Sequence, residues 1–243
     1  MIRVDPAYLA VHVEEDRLHW YFRGRLAVIR GALGRVLPSR PLRLLEIGCG
    51  TGNMLVALTD FGEAVGMEAN DALLTVARAA GLDARKGALP DDLVVAPGWA
   101  DVVLLLDVIE HLDDDLAGLR AARQALGNEG LLFVTVPAYP WLWSGHDIAL
   151  GHRRRYTPAG LRRVVEAAGY RVACLSYFNS VLFPAIASIR LWKRLRGDDR
   201  HDLRRPRPAL NAFLERLFAL ERHVVPTRVL PFGASLLLVA RRE

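Results

Sequence analysis

The stretch Leu44-Leu45-Glu46-Ile47-Gly48-Cys49-Gly50-Thr51-Gly52-Asn53 holds the residues best suited to chemistry. An apolar strand ends near a carboxylate, and three glycines follow at alternate positions. Without a Cβ, Gly48, Gly50 and Gly52 let the backbone come close to a ligand. The helix opening after such a turn points free N–H groups at that ligand. Glu46 can accept hydrogen bonds from an ammonium or a hydroxyl. A second apolar run ends in Ala64-Val65-Gly66-Met67-Glu68, and Glu68 lies 20 residues beyond Gly48. A carboxylate at that offset grips ribose hydroxyls at the end of the second strand. Dinucleotide-binding turns place their third glycine one position later. Asn53 stands there, which counts against a nicotinamide cofactor and a nucleotide-dependent oxidoreductase. A merely structural turn accounts for the glycines but not for the two carboxylates.

The constellation resembles the class I (Rossmann-like) S-adenosylmethionine-dependent methyltransferases, in particular a bacterial subset related to small-molecule and quinone-type O-methyltransferases. The resemblance runs over roughly residues 10–180. It implies an α/β fold: a doubly wound seven-stranded sheet, mostly parallel, with the last strand antiparallel beside the fifth. It also implies S-adenosylmethionine as cofactor, held by Glu46, Gly48, Cys49, Gly50 and Gly52 at the first strand and by Glu68 and Ala69 at the second. In relatives an N-terminal helix covers the cofactor and supplies an arginine to the methionyl carboxylate. Guanidinium–carboxylate pairing is the physical reason. Arg25 matches that spacing, with Arg23 in reserve; a plain surface arginine is the competing reading. Many relatives carry an aspartate that bonds adenine after the third strand. This chain has Ala88, so adenine recognition falls to backbone groups at Ala88 and Leu89. The fourth strand, 101–107, is apolar throughout, as a strand covered on both faces must be. Its carboxyl end puts Asp107 and Val108 beside the methionyl part and His111 near the reacting groups, unless His111 is a buried structural ring.

A distinctive loop follows the fifth strand: Ala138-Tyr139-Pro140-Trp141-Leu142-Trp143-Ser144-Gly145-His146-Asp147, then Gly151-His152-Arg153-Arg154-Arg155-Tyr156. Loops at strand carboxyl ends carry function. Tyr139, Trp141, Trp143, His152 and Arg153 are therefore expected to line the acceptor pocket; Trp141 and Trp143 as core fillers is the alternative. Methyl transfer from a sulfonium is an in-line displacement that needs orientation and exclusion of water. A hydroxyl acceptor also benefits from a base, and His146 or His111 could serve. The sequence shows no dense metal-ligand spacing, so transfer without a metal is expected.

These residues must be positioned by the rest of a 243-residue chain that is 52% hydrophobic, enough for a large core. Residues 1–37 read as an N-terminal helical cap, helical over 5–35 from a start at Asp5-Pro6. Residues 38–176 and 230–243 read as the cofactor-binding core. Residues 177–229 read as a helical insertion, with helices over 178–196 and 209–225, serving as lid, dimer or membrane-facing surface. Further strands are expected at 83–86, 130–137, 170–176 and 234–241, and helices at 53–60, 71–80 and 159–168, with one more opening at Asp113-Asp114-Asp115.

Net charge is +5, concentrated between Arg190 and Arg207, where eight basic residues face three acidic ones. That segment suggests peripheral membrane contact through 178–207, or a solvated face. A nucleic-acid partner is disfavoured because no strand interleaves aromatic with basic residues. Two cysteines, Cys49 and Cys174, suggest no disulfide framework, so a cytoplasmic protein is expected. No leader or membrane span is read. The expected function is methyl transfer to an O or N nucleophile of a small secondary metabolite, sugar or lipid-linked acceptor. A catalytically silent cofactor-binding or regulatory relative is the alternative.

Overall fold

The computed structural model describes residues 11, 13–196 and 205–243. The expected helix start at Asp5-Pro6 and residues 197–204 of the basic segment lie outside the described residues. Seven strands form one sheet: β1 Leu42–Ile47, β2 Gly62–Glu68, β3 Ala84–Lys86, β4 Ala100–Leu106, β5 Leu126–Pro137, β6 Tyr170–Phe178 and β7 Ser235–Arg242. Their order is β3-β2-β1-β4-β5-β7-β6. Strands β1 to β5 run parallel, and β7 is antiparallel to both β5 and β6. The last strand thus lies between the fifth and sixth, as the resemblance implied.

Consecutive strand residues point to opposite faces, which splits the core in two. Leu44, Val102, Leu104, Phe133, Leu237 and Val239 pack on one face with Val28, Ile29 and Leu33. Leu45, Val103, Leu105, Leu132, Leu236 and Leu238 pack on the other with Leu119, Leu161 and Val165. Helices α1 Trp20–Val36, α2 Asn53–Leu58, α3 Asp71–Ala79, α4 Asp115–Ala125, α5 Gly145–Leu150, α6 Pro158–Ala167, α7 Phe183–Leu195 and α8 Pro208–Ala219 complete the described fold. Side-chain caps mark several starts; among them, Asn70 accepts from Ala72 and Leu73, Asp114 from Ala117, and Thr157 from Gly160.

Several boundaries differ from the sequence reading. The helix over 5–35 is not continuous: the chain turns at 16–18 and restarts at Trp20, with His19 as cap. The break lets Asp16 reach the glycine turn, where its carboxylate accepts from the Thr51 hydroxyl and its carbonyl from the Asn53 amide at 3.0 Å. The loop after β5 contains a 3-10 turn and the short helix α5. β6 runs two residues further, to Phe178, and the insertion's first helix starts only at Phe183. The intervening N–H groups of Asn179, Ser180 and Val181 all donate to the buried carboxylate of Glu221, at 2.7–3.0 Å.

The insertion and the N-terminal helix pack together although they lie at opposite ends of the chain. Asn211 of α8 accepts from the Trp20 N–H and donates to the Leu18 carbonyl, both at 2.9 Å. Phe218, fully buried, stacks between Tyr21 and Phe178 at 6.1 and 6.2 Å. Gly24 makes room for it, since a Cβ there would lie 2.6 Å from the Phe218 ring. Arg23 is half exposed and pairs with Glu215 of α8 at 2.8 Å. Helix α7 contributes no buried residue and exposes Ile189, Leu191, Trp192 and Leu195. Among the described residues no helix is long and apolar enough to cross a membrane. Phe218→Ala should lower unfolding free energy by about 3–5 kcal/mol, read by urea denaturation; a change below about 1 kcal/mol would mean that the two ends of the chain do not share a core.

Candidate active site

The carboxyl ends of β1, β2 and β4 meet around the glycine turn. The N–H groups of Gly48 and Cys49 are spent on the Met67 carbonyl, at 2.7 and 3.0 Å, which ties the turn to β2. Gly48 has φ +74, and a Cβ there would stand 2.7 Å from Val108, so the turn and the loop after β4 touch. Gly50, at φ +57, faces open space, which suits close approach by a ligand. The Cys49 side chain points inward against Gly66, and burial pushes its thiol well above the ordinary range. Its part in any ligand contact is therefore through backbone only.

Glu68 is buried at the end of β2. One carboxylate oxygen accepts from the Gly50 N–H at 2.9 Å and the other from the Asn70 N–H at 2.7 Å. Each oxygen keeps a second lone pair for a hydroxyl. Ala69 follows, its carbonyl accepting from Lys86 at 2.6 Å. Ala88 and Leu89 lie half-buried beyond β3, with the Ala88 carbonyl accepting from the Asp92 N–H at 2.9 Å.

Glu46 and Arg25 carry the strongest electrostatic signal. Glu46 is buried, and its Oε2 makes no hydrogen bond. Burial holds its carboxyl well above the usual range; Arg25 opposes that shift, while Asp16 and Glu68 reinforce it. Arg25 reaches from α1 to the end of β4. Its Nη2 lies 2.8 Å from Asp107 Oδ2 and donates to Thr135 Oγ1 at 3.1 Å. The Thr135 hydroxyl donates to the other Asp107 oxygen at 2.9 Å. The Arg25 Nε is buried and makes no hydrogen bond. Asp107 has φ +60, a conformation that non-glycine residues seldom adopt. The crevice thus offers one orphaned buried acceptor and one orphaned buried donor, which fits the ammonium and carboxylate of an amino-acid end group.

Aromatic side chains gather at the carboxyl end of β5. Tyr139 stacks on Tyr177 at 5.2 Å and lies 5.3 Å from Phe183 and 5.5 Å from Trp141. Trp141 is about half exposed, and Trp143 is half-buried. Helix α7 lies over this loop: Arg190 donates to the Leu142 carbonyl and Arg194 to that of Trp141, both at 3.4 Å. Arg153 is tied to the loop after β4 instead, donating to the His111 carbonyl at 3.2 Å and pairing with exposed Asp113 at 2.9 Å.

Three sequence-level histidine candidates separate here. His146 is half-buried on α5. Asp147 bonds His152 Nδ1 at 2.8 Å and Arg155 Nε at 2.7 Å. Burial raises the Asp147 carboxyl, but His152 and Arg155 outweigh that and hold it far below the ordinary range. The His111 and His152 rings meet edge-on at 4.8 Å, and burial, helped by His152, pushes His111 down to about 4. Sequence reading passed over Thr135, Tyr177, Phe183 and Arg155, and saw Asp147 only as the neighbour of His146. For Asp147 a legible signal existed: Ser144-x-x-Asp147 is a capping box, and both of its hydrogen bonds form.

Comparison with known proteins agrees with this geometry. The profile of a family described as a methyltransferase domain matches residues 19–175. A ubiquinone biosynthesis O-methyltransferase of Cereibacter sphaeroides is 38% identical over 109 residues, 41% of this chain and 43% of that protein. Another, from Azorhizobium caulinodans, is 31% identical over 180 residues, 63% of this chain and 71% of that protein. The match therefore spans less than half the length of the first relative. Among solved structures, a SAM-dependent methyltransferase of Thermotoga maritima has a TM-score of 0.60 at 18% identity, covering 97% of this chain and 98% of that one. At that identity the likeness speaks for the fold alone.

S-adenosylmethionine and its product S-adenosylhomocysteine both carry an ammonium, and were the raised Glu46 carboxyl to receive it, binding would depend on pH. Raised by burial, Glu46 stabilises the fold below its unfolded value of about 4.3, and that contribution is lost as pH climbs through the folded value. A bound ammonium favours the carboxylate, so binding should expel a proton and tighten as pH rises through the folded value. Calorimetry of S-adenosylhomocysteine in buffers of different ionisation enthalpy should show proton release that Glu46→Gln removes. Heats independent of the buffer would contradict the role.

Proposed function

This chain belongs to the methyltransferase-domain family, and on that premise we propose that it moves the methyl group of S-adenosylmethionine to an oxygen or nitrogen of a small-molecule acceptor. Bound in the crevice, that cofactor supplies a methyl carbon made electrophilic by its sulfonium. The observation carrying this reading is the pairing of two orphaned buried groups, Glu46 Oε2 and Arg25 Nε, beside Gly50 and Glu68. Glu46 would take the ammonium, Arg25 the carboxylate, and Glu68 with Ala69 the ribose hydroxyls. Gly48, Cys49 and Gly52 would shape the turn, Ala88 and Leu89 border the adenine, and Asp107 and Val108 the methionyl chain.

The acceptor would enter past the aromatic loop. Tyr139, Trp141 and Trp143 offer flat apolar walls, with Phe183 and Tyr177 behind them, which favours a ring or another planar apolar body. Ubiquinone biosynthesis, named for the relatives, is chemistry of that kind. Helix α7 would act as a lid over this loop, excluding water from the reacting atoms. His146 would take the proton of a hydroxyl acceptor.

Calorimetry with S-adenosylhomocysteine and with NAD tests the cofactor assignment, and product analysis over a panel of phenols, amines and sugars tests the transfer. Binding of NAD alone would reject the reading. Cofactor binding with no methylated product across the panel would favour a silent binding protein. Glu68→Ala should weaken S-adenosylhomocysteine binding by about 1–3 kcal/mol. His146→Ala should cut kcat while leaving that affinity unchanged; equal loss of folding and activity would instead make the ring structural.

A further inference from the structure

A groove of about 940 Å³ runs along the outer side of α1, apart from the crevice. Val28, Ile29, Ala32 and Leu33 are buried on one side of that helix. Arg23, Ala27, Arg30 and Gly34 recur every three or four residues on the other, and they line the groove. Val56 of α2 and Phe61 just beyond it supply an apolar wall, and Arg222 joins the lining from the turn after α8. Two glycines shape the space. A Cβ on Gly31 would lie 2.9 Å from Arg222 Cβ, so glycine there lets Arg222 come up against α1. A Cβ on Gly34 would meet nothing within 4 Å, so the floor is open at that end. Clefts that hold small organic molecules run to roughly 300–1,000 Å³, and this groove has that size.

Its charge is one-sided. Arg17, Arg23, Arg30 and Arg222 all line it, whereas among the described residues the lining holds one carboxylate, Glu215. Arg23 pairs with Glu215, and Arg30 pairs with exposed Asp60 at 2.5 Å. Exposed pairs of this kind are weak, so an incoming anion can share both cations. Arg17 and Arg222 pair with no carboxylate among the described residues. Arg222 Nε donates to His223 Nε2 at 3.1 Å, which leaves its two terminal amino groups for a ligand. Four positive charges thus stand against two negative ones, beside the apolar surfaces of Leu26, Val56 and Phe61.

We infer that this groove binds a small organic anion, one that carries phosphate or carboxylate charge on an apolar body. Guanidinium groups take either oxyanion through paired N–H donors. The apolar wall gives the rest of the molecule a surface to cover, and Val56 is 48% exposed without such cover. S-adenosylmethionine does not suit this place, because its sulfonium and ammonium outnumber its carboxylate. Bare phosphate does not suit it either, because it leaves the wall wet.

The groove reaches the crevice through the turn at 16–18. Asn53, another lining residue, donates to the Asp16 carbonyl at 3.0 Å, and the Asp16 carboxylate accepts from Thr51 within the glycine turn. Arg17 follows Asp16 directly, and Arg25 leaves the same α1 that forms the floor. An anion gathering Arg17 and Arg222 therefore holds this turn and α1 against the glycine turn. Anion and cofactor should each tighten the other's binding, by one and the same factor. That coupling rests on the cofactor named in the methyl-transfer reading; the anion's binding does not.

The test titrates the full-length protein with 1-naphthyl phosphate, a dianion on an apolar bicycle, and with inorganic phosphate. One equivalent of the naphthyl ester should bind, at least about 10-fold more tightly than inorganic phosphate. Arg17→Gln and Arg222→Gln should each weaken it by about 10-fold. Gly34→Leu, on a helix and with room for its Cβ, should keep the fold and weaken the ester by filling the floor. Saturating ester should raise S-adenosylhomocysteine affinity by at least about 5-fold. No saturable binding by the wild type, or undiminished binding by all three variants, overturns the site. Equal affinity for inorganic phosphate overturns the organic ligand, and S-adenosylhomocysteine affinity unmoved by the ester overturns the coupling. A dimer in sedimentation that Gly34→Leu abolishes and the ester leaves intact would give the groove to a second copy of the chain and overturn the ligand. Ester binding with no S-adenosylhomocysteine binding would support the site and strike the methyl-transfer reading instead.

Discussion

The guanidinium of Arg25 is the charge on which this crevice depends. A buried cation is costly unless carboxylates surround it, and Asp107 meets Arg25 at 2.8 Å while Thr135 hydrogen-bonds both. Three elements are pinned by that one group: α1 through Arg25, β4 through Asp107, and β5 through Thr135. Asp107 holds a positive φ that would otherwise be unfavourable, and its N–H is bound to the Thr135 carbonyl at 2.9 Å, so the surrounding structure over-determines it. Glu46, Glu68 and the half-buried Asp16 complete a basin in which acids outnumber bases. In low dielectric such a basin favours a cationic ligand strongly.

The wall of the crevice is built from both ends of the chain. Helix α1 precedes the first strand, and α8 comes after the sixth, yet Phe218 and Asn211 make them one packed layer. Glu221, just beyond α8, gathers three N–H groups at the exit of β6. That joint directs the chain back over the aromatic loop as α7. Helix α7 itself buries nothing fully; among its contacts are rings meeting Phe183 and two long hydrogen bonds to loop carbonyls. An element with so few buried apolar contacts sits at the low end of local stability, which is where a moving part of a binding site must come from.

Two segments, 108–112 with His111 and 144–156 with His146 and His152, converge at the carboxyl ends of β4 and β5. The backbone itself joins them: the Arg153 N–H donates to the Glu110 carbonyl at 2.8 Å. Arg153 and Arg154 then brace the turn after β4 from outside, while Arg155 turns inward to Asp147. One run of three arginines therefore serves two sides of the same wall.

The sequence by itself determined what is local. The glycine turn, the carboxylates that end β1 and β2, the doubly covered β4, and the caps at Asn70, Asp114 and Thr157 all follow from residue type and short-range spacing, because backbone conformation and strand period act within a few residues. Even the antiparallel last strand was legible once those motifs had been matched to a family. Only the tertiary structure decided which side chains meet. His146 and Asp147 are neighbours in sequence, and within the capping box Asp147 turns to His152 and Arg155. Only the fold shows that Glu110, next to His111, is fully buried. The break at residues 16–18 and the pairing of α1 with α8 were equally hidden. Contacts between distant segments depend on where each strand end delivers its loop and which way each side chain points, and neither is written in the order of the residues.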